Sequence, residues 1–299
     1  MADFDEINAF VAVVRCGGFS AGAKELGLTR SAVGKAIARL EENLGTRLLN
    51  RTTRSVGTTI DGERFYGRCV QILADLKEAK DIARDATPEP RGVLRIALPN
   101  AYGRIRVLPI LQQYLKDWPN LSIEMVFTKR MVDMHEEGFD LSIRIGDVLP
   151  DSRLIVKTVG RERAKLYASV DYLAARGTPE SIADLKQHDL IFFGDRSGTD
   201  VWSLRSLAGD FVTLNEQTRY RADNGEAVLD GAIAGLGIAY LPAFLAKSGL
   251  DSGILVPILS DWMSDEIPIY ALYPSARYMP VKVKMLVDRI AEELSYSGV

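Results

Sequence analysis

The sequence predicts a chain of two differently built parts, a helical N-terminal domain and an α/β domain, joined by one long helix. Its 299 residues correspond to about two domains, since domains average roughly 150 residues. Apolar residues recur at helical spacing up to residue 90, whereas strand-like and helix-like segments alternate from residue 91 onward.

Composition excludes several classes of protein. Apolar residues make up 47% and charged residues 26%, as in globular chains, and no apolar stretch approaches the ~18 residues of a transmembrane helix. The acidic first six residues do not resemble a signal peptide, and Cys16 and Cys69 provide no disulfide framework. We therefore expect a cytoplasmic protein with reduced thiols and no membrane partner.

Charge is distributed unevenly along the chain. The net charge is −3, but residues 1–60 carry 8 basic and 6 acidic side chains, and residues 61–299 carry 29 and 34. A local basic surface on an acidic protein is typical of nucleic-acid binding. A solvated helix face without a partner would give the same counts.

The first sixty residues predict three short helices separated by glycine turns. Ser20 can cap the second helix, which ends at Gly27. Thr29 can cap the third helix, which ends at Gly45. Only residues 27–29 separate these two helices, which is the short link of a helix-turn-helix.

The third helix carries polar side chains away from its apolar stripe, and small residues between them keep the helix slim. The polar side chains are Arg30, Ser31, Lys35 and Arg39. Such a helix suits entry into the major groove of DNA. Donors then alternate with β-branched residues over residues 50–59, which predicts a two-stranded wing with Arg51 and Arg54 near phosphate or a minor groove.

A long helix is predicted from Asp61 to about Ala86. Its apolar or small residues recur with alternating spacings of four and three, which is the seam of a coiled coil over about three heptads. The predicted dimerisation residues are Phe65, Cys69, Ile72, Leu76, Ala79 and Ala83. Cys69 falls on this seam, so we interpret it as a small buried hydrophobe. Residues 87–92 contain two prolines and a glycine and predict a linker.

From residue 91 the alternation of strands and helices predicts a mostly parallel sheet covered by helices, including a helix around Val132 to Glu137. The cycle repeats once, which predicts two lobes with a binding cleft between them. We expect lobe I to comprise residues 91–161 and 267–299, and lobe II residues 162–266.

Ligands of open α/β sheets lie beyond the carboxyl ends of the strands, often at helix N-termini that attract anions. Polar, aromatic and glycine residues at these positions predict a site for a small organic anion, with Tyr102 and Trp202 stacking on a ring. The candidates are Asn100, Ala101, Tyr102, Thr128, Ile145, Gly146, Arg196, Ser197, Trp202 and Asn224. Turn caps and packing between the lobes are the alternative explanation for several of them.

Enzyme chemistry finds little support in the sequence. His135 and His188 are the only histidines, and neither has a partner at metal-ligand spacing. The glycines of residues 234–239 follow a helix and precede a strand, which is the wrong order for a dinucleotide loop. We expect no catalytic residues, no metal and no cofactor. Both cysteines precede residue 91, so a thiol switch in the ligand-binding half is not expected.

Several motifs together resemble one family. Residues 20–26 (SAGAKEL), 29–37 (TRSAVGKAI), 44–49 (LGTRLL) and 51–54 (RTTR), followed by the long helix, resemble the N-terminal module of LysR-type transcriptional regulators. Residues 137–146 (EGFDLSIRIG) and 235–242 (GLGIAYLP) resemble that family's effector domain, which is similar in fold to periplasmic binding proteins. The resemblance covers nearly the whole chain and is weakest between residues 176 and 214.

The resemblance implies a winged helix-turn-helix domain over residues 1–60, a linker and dimerisation helix over 61–90 and an effector-binding domain over 91–299. It implies a dimer of dimers on an interrupted inverted repeat of double-stranded DNA, with RNA polymerase as a further partner. With the residue pattern, it implies DNA contacts from Ser20, Thr29, Arg30, Ser31, Lys35, Arg39, Arg51, Thr52, Thr53 and Arg54.

Two departures from the family pattern concern the third helix. Arg30 stands where the family often has Gln, and Gly34 stands where it often has Ser. Arg30 could donate two hydrogen bonds to guanine instead of pairing with adenine, so an operator sequence cannot be transferred. The alternative function is a small-solute-binding protein whose N-terminal head dimerises without binding DNA.

Overall fold

The computed structural model describes residues 4–51, 56–82, 89–134, 136–146, 154–194, 201–215, 218–274 and 279–295. The chain divides into two compact units, residues 1–93 and 94–299.

The N-terminal unit contains the three predicted short helices, the wing and the long helix. The helices are α1 (Phe4–Arg15), α2 (Phe19–Leu26), α3 (Arg30–Leu44) and α4 (Ile60–Ile82). The predicted cap of α3 is confirmed, since the Thr29 hydroxyl accepts a hydrogen bond from Ala32 N at 3.2 Å. The predicted cap of α2 is wrong: the turn through Gly17 starts the helix at Phe19, so Gly18 occupies the cap position and Ser20 lies inside the first turn.

The core of this unit consists mainly of apolar side chains from α1 and α3, joined by a few from α2, α4 and residues 48–49. Phe10, Val33, Ile37 and Leu40 are all completely buried. Helix α2 crosses α1 at a distance that only glycine permits. A Cβ atom on Gly22 would lie 2.9 Å from the Val13 backbone, closer than real Cβ atoms come. Glycine at position 22 therefore permits the close packing of α2 on α1.

The wing consists of strands β1 (Leu49–Arg51) and β2 (Val56–Thr58), which pair antiparallel and confirm the predicted two-stranded unit. The start of α4 packs directly against the base of this wing. A Cβ atom on Gly62 would lie 1.9 Å from the Leu48 carbonyl oxygen, so this position requires glycine. The Thr59 hydroxyl caps α4 by accepting from Gly62 N at 2.9 Å.

Lobe I of the second unit is a five-stranded sheet in the order β4-β3-β5-β14-β6. Its strands are β3 (Gly92–Leu98), β4 (Leu121–Phe127), β5 (Leu141–Ile145), β6 (Leu154–Glu162) and β14 (Ile267–Pro274). Its helical segments are α5 (Asn100–Tyr102), a π-helical segment (Gly103–Val107), α6 (Leu108–Asp117) and α10 (Val281–Ser295).

Lobe II is a seven-stranded sheet in the order β10-β9-β13-β7-β12-β8-β11. Its strands are β7 (Ala164–Ser169), β8 (Leu190–Phe193), β9 (Trp202–Ser206), β10 (Phe211–Leu214), β11 (Tyr220–Ala222), β12 (Ile238–Pro242) and β13 (Leu255–Met263). Its helices are α7 (Val170–Arg176), a 3-10 helix (Ile182–Gln187), α8 (Gly225–Ile233) and α9 (Ala243–Asp251).

Two predictions about this unit are wrong. The sheets are mixed, because β14 pairs antiparallel with β5 and β6 in lobe I, and β7 pairs antiparallel with β12 and β13 in lobe II. No helix forms in the described residues between Val132 and Glu137, which adopt turns. The Glu137 carboxylate accepts from Asp133 N at 2.9 Å and binds Arg130, which holds this segment as a turn.

A buried ion pair joins the C-terminal helix to the sheet of lobe I. The Nζ atom of Lys282, on α10, lies 3.3 Å from Asp140 Oδ1, and both side chains are almost completely buried. Asp140 also accepts from Arg95 N at 2.8 Å, so it fixes β3, β5 and α10 together.

Candidate DNA-binding surface and effector cleft

The solvent face of α3 carries the predicted polar residues. Arg30, Ser31 and Lys35 are exposed, whereas the opposite face of the helix is buried in the core. Gly34 lies between them with no atom within 4 Å of where its Cβ would be. The N-terminal half of α3 therefore presents two cations and a hydroxyl on a slim surface, which is the geometry of a helix that enters a major groove.

Arg39 lies on the same face but has a protein partner. Its Nε atom is 3.2 Å from Oε1 of Glu6, a nearly buried carboxylate on α1. Asn43 donates to the other oxygen of Glu6 at 3.4 Å. Because a carboxylate partly offsets its charge, Arg39 is a weaker candidate for a phosphate contact than Lys35. No local sequence pattern indicates this contact, since 33 positions separate the two residues.

The wing is held to α3 by one carboxylate. Oε1 of Glu41 accepts hydrogen bonds from Leu48 N at 2.9 Å and from Leu49 N at 3.0 Å. This contact fixes where β1 begins and therefore where the wing lies relative to α3. Ser20 and Thr29 are exposed. The side chain of Arg51 and residues Thr52, Thr53 and Arg54 lie outside the described part of the chain.

The predicted seam of α4 is divided between two roles. Cys69 is 1% exposed and packs with Phe65 in the core of its own unit, where the Phe65 ring lies 5.7 Å from the Phe10 ring. Cys69 is thus buried within its own unit, whereas Phe65 keeps an intermediate exposure, and the dimerisation role assigned to both stays a prediction. The prediction that Cys69 is a buried hydrophobe is confirmed, and burial raises the pKa of its thiol to about 11.

The next seam positions remain available on this unit. Ile72 is half exposed, and Leu76 is partly buried. The side chain of Ala79 and residue Ala83 lie outside the described part of the chain. Dimerisation through this second half of α4 stays a prediction.

Two ion pairs connect the lobes at the carboxyl ends of their strands. Arg104, in the π-helical segment after β3, contacts Glu226 in the first turn of α8. Lys129, just after β4, contacts Asp223, just after β11. The loops that follow strands of lobe I therefore meet the loop that follows β11 of lobe II. This is the position at which open α/β sheets bind ligands.

The predicted effector residues are found in different surroundings. Asn100 and Asn224 are exposed, and the Asn224 side chain caps α8 by accepting from Glu226 N at 2.8 Å. Thr128 is half buried and its hydroxyl accepts from Arg130 N at 3.2 Å. Residues at intermediate or partial exposure are Ala101, Ile145 and Gly146. Residues outside the described part of the chain are Arg196 and Ser197.

The two aromatic candidates are core residues in this structure. Tyr102 is 1% exposed and packs edge-on against Phe244 of lobe II, with ring centroids 5.0 Å apart. Trp202 is 3% exposed and lies between Phe192 and Tyr240, at 5.0 and 5.5 Å. The expectation that these rings are free to stack on a ligand is corrected, because neighbouring rings already cover them.

Arg144 is a cleft residue that sequence reasoning missed. This buried side chain on β5 donates to the carbonyl oxygens of Thr128 and Lys129, both at 3.3 Å, and of Arg130 at 2.5 Å. Its Nε donates to Ser142 Oγ at 3.1 Å. Burial and the nearby Arg130 lower the pKa of the Arg144 guanidinium. Its hydrogen bonds fix the loop that presents Lys129. Among the described residues no carboxylate lies within ion-pair distance of Arg144, so its guanidinium adds positive charge to this loop.

The described residues contain no group of three His, Cys, Asp or Glu side chains arranged to bind a metal ion. His188 contacts the Tyr172 hydroxyl through Nδ1 at 3.2 Å, and His135 lies outside the described residues. None of the helices in the described ranges combines the length and apolarity needed to cross a bilayer.

Comparison with protein families and solved structures identifies both units. Residues 4–63 match the bacterial regulatory helix-turn-helix protein, lysR family, and residues 87–295 match the LysR substrate binding domain. An uncharacterised HTH-type transcriptional regulator of Haemophilus influenzae is 32% identical, with 95% of this chain and 98% of the relative covered.

Two solved structures are similar over the full length. CrgA, a LysR-type transcriptional regulator from Neisseria meningitidis, is 28% identical with a TM-score of 0.62, and 98% of this chain and 99% of that chain are covered. The Vibrio cholerae virulence activator AphB is 29% identical with a TM-score of 0.61, over 97% and 99% of the two chains. Nothing in these matches favours a solute-binding protein without DNA binding, and the relatives are regulators rather than enzymes.

Proposed function

Since the chain belongs to the LysR-type transcriptional regulators, DNA-binding proteins with an effector domain, we propose that it binds an interrupted inverted repeat as a dimer of dimers. In this proposal it acts on transcription together with RNA polymerase and responds to a small organic anion. Its place of action is the cytoplasm, because the proposed partners are chromosomal DNA and polymerase.

One observation carries the DNA-binding part of the proposal: Arg30, Ser31 and Lys35 are exposed together on the N-terminal half of α3. Arg30 has the donors to bind O6 and N7 of guanine, and Lys35 has the charge to bind phosphate. Arg51, Thr52, Thr53 and Arg54 would extend the contacts into the adjacent minor groove.

The proposed dimer forms through the second half of α4. The half-exposed Ile72 and the partly buried Leu76 are spaced by four residues on one face, as a coiled-coil seam requires. Pairing of two such helices would space two DNA-binding domains for two half-sites, and a second dimer would complete the assembly.

The proposed effector binds between the lobes. The segments after β3 and β4 carry Arg104 and Lys129, and Arg144, which binds the loop of Lys129, adds a third cation. Asn100, Thr128 and Asn224 offer neutral polar groups at the same strand ends. The three cations outnumber Glu226 and Asp223, the two carboxylates that pair with them, and this excess of positive charge favours an anion. A ligand that binds both lobes would change their relative position by its differential affinity.

A mobility-shift titration on the upstream region of the protein's own gene tests DNA binding. We expect a shifted complex and a footprint over two half-sites, and Arg54→Ala should weaken binding several-fold without unfolding the protein. No complex at low salt would contradict the proposed function. Unchanged affinity of the Arg54→Ala variant would contradict the role of the wing.

Calorimetric titration with a set of small carboxylates tests the effector class. We expect at least one carboxylate to release or absorb heat and to raise the melting temperature of the full chain, because a ligand that binds only the folded state stabilises it. No heat and no thermal shift with any member would contradict an anionic effector.

A further inference from the structure

Two carboxylates of lobe II form ion pairs with two cations of lobe I at the cleft between the lobes. Arg104 and Lys129 are 61% and 69% exposed, and their partners are Glu226 and Asp223. Arg104 and Lys129 are thus accessible to solvent, but each already forms an ion pair with a carboxylate of the protein itself.

The folded backbone positions both pairs. Asn224 caps α8 and holds Glu226 in its first turn, and Asp223 directly follows β11, which pairs with β8. On the other side, Arg144 binds the carbonyl oxygens of the loop that carries Lys129. The backbone segments that carry the four side chains are therefore each held by hydrogen bonds or strand pairing of their own lobe.

We propose that Asp223 and Glu226 are internal competitors of the anionic effector. They pair with Lys129 and Arg104 while the cleft is empty, and the effector's anionic group displaces them when it binds. This inference rests on the proposed effector function and adds Arg104 and Lys129 as its anion-binding residues. The exchange is one of counter-ions and breaks no covalent bond.

The expected effects are modest. An exposed ion pair shifts an equilibrium about 1.5- to 5-fold, so the two pairs together shift the opening of the lobes about 2- to 25-fold. Salt should weaken the effect, since the Debye length falls to ~10 Å at 0.1 M salt. A shift of this size is small enough for a millimolar ligand to reverse.

Hydrogen exchange on the full chain without effector tests the pairing. At low salt, Arg104→Glu and Glu226→Arg should each speed amide exchange in residues 128–131, which neither substitution touches, by about 3-fold or more. The double variant Arg104→Glu/Glu226→Arg should restore the slow exchange. Unchanged exchange in the single variants, or no restoration in the double variant, would overturn the proposal.

Calorimetric titration with benzoate and with succinate, at constant ionic strength, tests the competition. Glu226→Gln removes one ion pair and should bind the responding anion about 2- to 5-fold more tightly than the wild type, and Arg104→Gln should bind it more weakly by a similar factor. Asp230→Asn is the matched control, because it removes the same charge one turn further along α8 and should stay within about twofold of the wild type.

Each outcome separates the competing explanations. If Glu226→Gln weakens binding or only equals Asp230→Asn, the carboxylate is a structural partner and the proposal is overturned. If neither the wild type nor Glu226→Gln binds either anion, the competition is also overturned. Mobility-shift binding of the same preparations reports the proposed regulator function independently, so the two failures are distinguishable.

Discussion

The DNA-binding helix and the effector cleft are assembled in opposite ways. Helix α3 presents Arg30, Ser31 and Lys35 within two turns of one helix. The ion pairs of the cleft join residues 122 and 94 positions apart in the chain. A surface on one helix depends on local spacing, whereas a cleft depends on sheet order and lobe packing. The two halves should therefore respond differently to substitution.

The largest effect is expected in the long-range half. Asp140→Asn leaves the buried ammonium of Lys282 without this counter-charge and should lower the free energy of unfolding by about 3–5 kcal/mol. Urea unfolding followed by tryptophan fluorescence measures this loss of stability in the effector domain, because Trp118, Trp202 and Trp262 all lie there.

The control for this variant is the double substitution Asp140→Asn/Lys282→Met. Removing both charges leaves no uncompensated charge in the interior, so the double variant should recover most of the loss. A single variant as stable as the wild type would contradict the role of the pair.

The stability of the N-terminal unit should be sensitive to substitution at a close backbone contact. Gly62→Ala would place a Cβ atom against the Leu48 carbonyl oxygen and should destabilise this unit by about 1–3 kcal/mol, with a matching loss of DNA affinity. Hydrogen exchange of α3 amides and a mobility-shift titration measure the two effects.

Gly67→Ala is the matched control on the same helix. No atom lies within 4 Å of the position of its Cβ, so alanine should leave the unit unchanged or stabilise it by up to ~1 kcal/mol. Equal behaviour of the two variants would mean that the wing does not rest on α4 as described.

The smallest effect distinguishes two cations on one face of α3. Lys35→Ala should reduce the salt dependence of DNA binding by about one unit of slope, since one phosphate contact is lost. Arg39→Ala should change it less, because Glu6 already offsets part of its charge. Equal changes in slope for the two variants would contradict this distinction.

Local chemistry made the N-terminal domain largely predictable. Glycine turns, the Thr29 cap and apolar spacing predicted the three helices, and alternating β-branched residues predicted the wing. What escaped prediction were contacts between distant segments: Glu6 with Arg39, the Glu41 carboxylate on the wing, and the close approach at Gly62. Sequence spacing carries no information about such meetings.

The cleft was less predictable because burial there depends on the other elements of the domain. Tyr102 and Trp202 follow or begin strands, as ligand-stacking residues do, but rings from distant segments cover both. Arg144 had a usable signal, since a charged residue inside the apolar strand of residues 141–145 must find hydrogen-bond partners if it is buried. That rule predicts that Arg144 has buried partners, but it does not predict that these partners are the carbonyl oxygens of residues 128–130.

The most direct test of the central claim, that α3 reads DNA bases, is selection of bound sites from random duplex DNA by the wild type and by Arg30→Ala. We expect the wild type to enrich an inverted repeat containing a G·C pair at one position of each half-site. The variant should lose the preference at that position alone, with an affinity loss of about 1–3 kcal/mol. Identical motifs from both proteins, or no enriched motif from the wild type, would contradict the account.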